Sequence, residues 1–120
     1  MLGRFAVEAV VGEKQFVHEW IATSRMEIDQ ARLLTHYAAW KMDTHGKKVA
    51  RQEIAMIKVV ASNMLMNVLD RAIQCLGWLG VSDDTPVAMM WRQSRALRLA
   101  DGPDEVHKMV IARRELKRFA

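Results

Sequence analysis

The sequence predicts an all-α fold, an antiparallel up-and-down four-helix bundle. Three observations carry that prediction. Apolar residues recur at three- and four-residue steps through four stretches, the signature of helices with one buried face. Glycine (3, 12, 46, 77, 80 and 102) and proline (86 and 103) lie outside those stretches or at their ends. No segment alternates apolar and polar residues as a half-buried strand would. Hydrophobic residues make up 51% of the 120, and a domain of this size hides about two-thirds of its unfolded surface, so one core is expected.

Residues 1–12 (MLGRFAVEAVVG) are weakly patterned and form a lead-in; the bundle occupies residues 13–120. The first helix is expected over about residues 13–43. Phe16, Trp20, Ile21, Met26 or Ile28, Leu33, Leu34, Tyr37 and Trp40 mark its apolar stripe, and Thr44, His45 and Gly46 end it. The second is expected over about residues 48–76. Ile54, Ile57, Met64, Leu65, Val68, Leu69 and Ile73 repeat the spacing until Gly77 and Gly80 stop it. Ser82, Asp83 or Asp84 caps a third helix that has Pro86 in its first turn and runs to about residue 99. The fourth starts at Pro103 and reaches about residue 118. Asp104 and Glu105 complement its positive end, and Lys117 and Arg118 its negative end. The first two helices are about twice as long as the last two. Their surplus length needs a covering surface, so a homo-oligomer, dimer or tetramer, is expected.

Composition narrows the function. The formal charge is +4, and the excess lies wholly in residues 91–120, which carry eight basic and four acidic side chains. A local basic end does not imply nucleic-acid binding, and no nucleic-acid partner is expected. No apolar run approaches the ~20 residues of a membrane span. The N-terminus lacks the pattern of a secretory signal. The single cysteine, Cys75, excludes an intramolecular disulfide. A cytoplasmic or organelle-matrix location is therefore expected, without secretion. His18, His36, His45 and His107 show no metal-binding spacing, so no metal is expected.

Several side chains invite a chemical role beside a bland one. His36 lies beside the apolar face of the first helix, where it is either a buried polar group or a site residue. Trp40, Trp78, Met89, Met90 and Trp91 suit core packing, or with His36 the lining of an apolar ligand pocket. Arg92, Arg95 and Arg98 form either a solvated face or an anion-contacting edge. Asp101 follows Leu97, Leu99 and Ala100 and precedes Gly102-Pro103, between two helices. It is either the cap of the fourth helix or a desolvated carboxylate fit for proton abstraction.

The segment QCLGWLG at residues 74–80, then Ser82-Asp83-Asp84-Thr85-Pro86, Arg92 and Arg95, and RLADGPDEVH at residues 98–107 occur in one order. Together they resemble the C-terminal helical domain of the acyl-CoA dehydrogenases, in the branch of family members 10 and 11. Ser24-Arg25, Glu27-Ile28, residues 31–34 and residues 53–58 fit the first two helices of that domain. The resemblance covers about residues 15–117 and implies an FAD-dependent oxidoreductase of fatty acid metabolism. In that family a carboxylate takes the α-proton of an acyl-CoA thioester and the flavin takes the β-hydrogen as hydride. Asp101 stands where this branch places the base. Gln74, Gly77 and Gly80 match a segment that contacts FAD held mainly by a neighbouring subunit, and Pro103 and Glu105 match positions near the flavin. Trp78 departs from the pattern by replacing a glycine, and Arg4-Phe5 is a poor remnant of the usual FAD-holding lead-in. The family's N-terminal helical and middle β domains have no counterpart in these 120 residues, so the chain alone is expected not to be competent. The alternative is a stand-alone or engineered helical homodimer without flavin, with an apolar ligand in a core or intersubunit cavity.

Overall fold

The computed structural model describes residues 14–120; the lead-in at 1–12 lies outside them. The described residues form α1 (Gln15–His45), α2 (Arg51–Leu76), α3 (Trp78–Val81), α4 (Val87–Leu97) and α5 (Asp104–Lys117). The fold is all-helical, with no strand among the described residues. Helix α2 is the centre: α1, α4 and α5 all pack on it, and α3 bridges α2 to α4. Small side chains let the helices approach. Ala31 and Ala38 of α1, Ala50 before α2 and Ala55 within it are buried, with Val17, Met66 and Leu69 filling the rest. Polar ties lock the pairs. Arg71 of α2 donates two 2.8 Å bonds to the Glu27 carboxylate of α1, and Lys41 of α1 pairs with the buried Glu53 of α2. Arg114 of α5 donates to the Lys48 and Val49 carbonyls of the α1–α2 turn.

The four expected helices are present, and the joints differ from expectation. The turn read at residues 77–80 contains a helical turn, α3. Gly77 takes φ +64 to break α2, and α3 then folds directly onto the α2 backbone. A Cβ on Gly80 would lie 2.7 Å from the Ile73 carbonyl oxygen, so only glycine fits there unstrained. Ser82, Asp83 and Asp84 do not cap α4. Ser82 Oγ donates to the Leu79 carbonyl and accepts from the Asp84 amide, closing its own turn, and Pro86 occupies the cap position. Asp101 does not cap α5 either; Pro103 stands there, with no side-chain cap.

The molecule is elongated, 56 × 25 × 25 Å, with a radius of gyration of 17.7 Å against about 13 Å for a compact domain of this length. The long α1 causes this, and it leaves apolar surface open. Met26, Leu33, Tyr37 and Trp40 share one face of α1 and are all exposed, Leu33 by 68%. No described helix is long and apolar enough to cross a membrane.

Candidate functional site

The α4–α5 junction holds two successive residues of positive φ. Asp101 has φ +53, the one non-glycine residue there with positive φ, a conformation that strains an L-residue, Asp and Asn less than the others. Gly102 follows at φ +98. Such strain persists only when the surroundings over-determine the turn, and here they do. Lys58 of α2 reaches across and donates from Nζ to the carbonyls of Leu97 (2.6 Å), Ala100 (2.7 Å) and Gly102 (3.5 Å). The Asp104 amide donates to the Arg98 carbonyl (3.0 Å). His107 Nε2 lies 3.3 Å from the Asp101 carbonyl oxygen, a donor contact in the Nε2–H tautomer.

Beneath this turn sits a buried carboxylate. Asp104 is 1% exposed, and its Oδ2 accepts from Arg98 Nε (2.9 Å) and Asn63 Nδ2 (3.0 Å). Burial pushes its pKa up. The hydrogen bonds from Arg98 and Asn63, with the charges of Arg98 and Lys108, outweigh burial and hold it below the ordinary aspartate value. Its Oδ1 is buried without a partner. Arg98 thus belongs to the interior network, and Arg95 also buries a guanidinium nitrogen; of the arginine row only Arg92 is a plainly solvated side chain.

Asp101 itself is exposed. The expected desolvation is absent from this chain taken alone: the turn lifts the carboxylate outward, and any dry environment must come from a surface laid over it. Pro103 is half-buried beside it, and Glu105 is exposed in the first turn of α5. These three residues form one cluster.

Gln74, Gly77 and Gly80 lie elsewhere. Lys58 and Gln74 are both on α2, sixteen residues apart, about 24 Å at the helical rise. The α2–α3 junction carries a shallow hollow of ≈ 330 Å³ lined by Ile73, Gln74, Gly77, Trp78 and Val81. Gln74 is exposed, and nothing lies within 4 Å of where a Gly77 Cβ would be, so that backbone is open to a ligand. Gly80 is buried against Ile73 and serves packing. Trp78 is 90% exposed. The remaining pocket candidates sit on separate helices. His36 and Trp40 are exposed on α1, and Trp40 stacks on Tyr37. Met89 and Met90 are exposed and Trp91 half-buried on α4. The expectation that His36 is a buried polar group is thus overturned, because its side of α1 faces away from α2.

Two features escaped the sequence. An apolar groove of ≈ 430 Å³ runs between α1 and α2, lined in part by Trp20, Ile28, Val68 and Cys75. The braces Lys58, Asn63 and Asp104 were missed as well. Their signal was present: Lys58, Ser62 and Asn63 interrupt the apolar stripe of α2 with polar groups that need partners.

Comparison with known proteins places this arrangement. The family described as acyl-CoA dehydrogenase, C-terminal domain, matches residues 3–116. The chain belongs to that family. The Mycobacterium tuberculosis protein FadE2, assigned as an acyl-CoA dehydrogenase, is 54% identical over 96% of this chain and 28% of its own length. Acyl-CoA dehydrogenase family member 11 of Gallus gallus is 50% identical over 94% of this chain and 15% of its own. A solved Mycobacterium abscessus protein assigned to the acyl-CoA dehydrogenases superposes with a TM-score of 0.84 at 51% identity, covering 86% of this chain and 25% of that one. The FAD complex of PigA superposes at 0.82 with 26% identity, covering 90% and 28%. The chain therefore spans less than a third of the length of these relatives and corresponds to one domain of the acyl-CoA dehydrogenases.

Proposed function

We propose that residues 13–120 are the helical unit that supplies the proton-accepting carboxylate, Asp101, to an FAD-dependent acyl-CoA dehydrogenase. The strained and cross-braced turn at Asp101 carries this reading. A general base must be held in place before its substrate arrives. An aspartate of positive φ whose turn is fixed by neighbouring elements meets that need.

Asp101 accepts the α-proton of an acyl thioester at a carboxylate oxygen as the Cα–H bond breaks, and the freed electron pair forms the Cα=Cβ bond as the β-hydrogen departs. FAD, when bound, supplies the acceptor for that hydrogen as hydride. The carboxylate is exposed in this chain, so the acyl-CoA and the rest of the enzyme must dry it. Desolvation raises its basicity toward the reacting carbon.

Gln74 and Gly77 suit an edge contact with FAD: a free carboxamide beside a glycine backbone with open space over it. The ~24 Å between this edge and the Asp101 turn favours a site that draws the two from different copies. The open apolar face of α1 supports the same homo-oligomeric reading. A half-buried lone thiol fits a reducing cytoplasm or organelle matrix.

The test is Asp101→Asn in an acyl-CoA dehydrogenase assembly that carries this domain. Turnover should fall about 10²–10⁴-fold with flavin content unchanged. Full turnover in that variant would remove Asp101 as the base. One observation favours a second reading. Trp78 puts a large exposed ring at a glycine position of the family segment, and a flavin-free homodimer that takes an apolar ligand has use for such a ring. Flavin absorbance separates the two: purified chain that stays colourless after incubation with FAD and a partner acyl-CoA dehydrogenase subunit supports the second.

A further inference from the structure

We infer that Lys58 is the positioning residue of the site: its ammonium group fixes the direction of the Asp101 carboxylate by holding the turn on both sides of it. The inference rests on Asp101 being the base.

Lys58 is the eighth of the 26 residues of α2 and points at the α4–α5 junction. Its three acceptors are well chosen. Leu97 is the last residue of α4, so its carbonyl has no helical partner and lies at the negative end of the helix, where a cation is stabilising. Ala100 and Gly102 immediately flank Asp101. An ammonium has three N–H donors and no acceptor. Three carbonyls within 2.6–3.5 Å use all of them, with no carboxylate ion-paired to Lys58 among the described residues. Lys58 grips only backbone: the last carbonyl of α4 and the two carbonyls that flank Asp101.

The other contacts hold the turn from below. Asp104, Arg98 and Asn63 tie the start of α5 to α4 and α2, and His107 meets the Asp101 carbonyl itself. None of them reaches the carbonyls on either side of Asp101. Lys58 therefore controls the orientation of residue 101, and the Asp104 cluster controls the attachment of the helix that follows.

The experiment compares Lys58→Met and Lys58→Gln with the parent chain by NMR and hydrogen exchange. In both variants the Asp101 Cα and carboxyl-carbon shifts should move, and exchange protection of the Ala100 and Asp104 amides should drop about tenfold, as expected for loss of charge-assisted hydrogen bonds. Protection in the middle of α2 around Met66 should hold. Should Lys58→Met not fold, Lys58→Gln, with a polar tip on a shorter arm, carries the measurement. Native shifts and native protection at the turn in a folded variant would overturn the inference. In an assembled dehydrogenase, the same variants should lower kcat about tenfold with KM for acyl-CoA unchanged. A change confined to KM, or to thermal stability, would also overturn it. Asp101→Asn measured alongside separates the two ideas: turnover surviving there removes the base assignment, and the NMR comparison still judges the hold of Lys58 on the turn.

Discussion

The α4–α5 joint and the α2–α3 joint solve one problem in different ways. Each turns the chain through a glycine of positive φ, Gly102 at φ +98 shortly before α5 and Gly77 at φ +64 directly after α2. At the first, side chains from α2 and α5 converge on the turn: Lys58, Asn63 and His107, with Arg98 and Asp104 closing it. At the second, backbone does the holding. The Gly77 amide donates to the Ile73 and Gln74 carbonyls, and Gly80 lies flat on Ile73. The braced joint presents the Asp101 carboxylate, whose direction matters if it is the proposed base. The bare one presents an open edge, which suits contact with something outside the chain. Rigidity is built where the chain must aim a group by itself.

The largest effect should come from removing the brace beneath Asp101. Asp104→Ala leaves Arg98 and Asn63 facing a buried void without their acceptor. Breaking a buried ion pair by deleting one partner costs about 3–5 kcal/mol. Arg98 is partly exposed, which places the expected loss near the lower figure. Denaturant unfolding measures it, and a loss under about 1 kcal/mol would mean that the junction is held by its backbone, as the other one is.

Gly80→Ala tests the bare joint in the same units. The new methyl would meet the Ile73 backbone at 2.7 Å, and overpacking of this kind costs about 1–3 kcal/mol. Gly77→Ala adds strain through φ alone, since nothing is near its Cβ. A larger loss at 77 than at 80 would make conformation, not contact, the constraint on α3.

How much of this was legible beforehand follows from the physics of each part. Helix existence was legible because a three- and four-residue apolar period fits only a helix, whether the face it makes is buried or, as at Leu33, Tyr37 and Trp40, left open. The joints were less so. Ser82, Asp83 and Asp84 offer three caps in a row, and a local turn bond by Ser82 won over capping α4. Asp104 reads from sequence as a surface charge at a helix N-terminus, and it is the most buried large side chain. Only long-range partners reveal that. Asp101 was singled out by resemblance and by its place before Gly102-Pro103. Its positive φ and the hand of Lys58 on the turn depend on residues 43 positions apart, which no local pattern carries.

Acid titration sharpens the contrast further. Asp104 has a folded-state pKa below its unfolded value, and so has Glu27, held down chiefly by its hydrogen bonds to Arg71. Each contribution is complete above the unfolded carboxylate value, about pH 4, and is lost as pH falls through the folded value. The α4–α5 joint should therefore loosen below about pH 4 while the α2–α3 joint, which holds no such carboxylate bond, responds only to global unfolding. Asp104→Asn should flatten the acid limb at the first joint. An unchanged limb in that variant would move the acid sensitivity to the other carboxylates held low, Glu27 by Arg71 and Glu115 by Gln52 and Arg118.

The smallest effect on the fold should come from Trp78→Gly. The indole is 90% exposed, so its removal takes away little packing, and an extra glycine in the first turn of α3 costs at most about 1 kcal/mol. Because the two joints share no side-chain network, amide shifts at residues 98–104 should stay native in this variant, about 24 Å away along α2. Its effect on binding points the other way from its effect on stability. Under the dehydrogenase reading, the glycine restores the family pattern and opens the edge beside Gln74, so FAD contact in a mixed assembly should strengthen. Under the flavin-free reading, the same change deletes a ligand-facing ring and weakens apolar-ligand binding. A variant that alters neither would leave Trp78 as an exposed aromatic without function, and the open face at Gly77 would then be the only feature of that joint still calling for a partner.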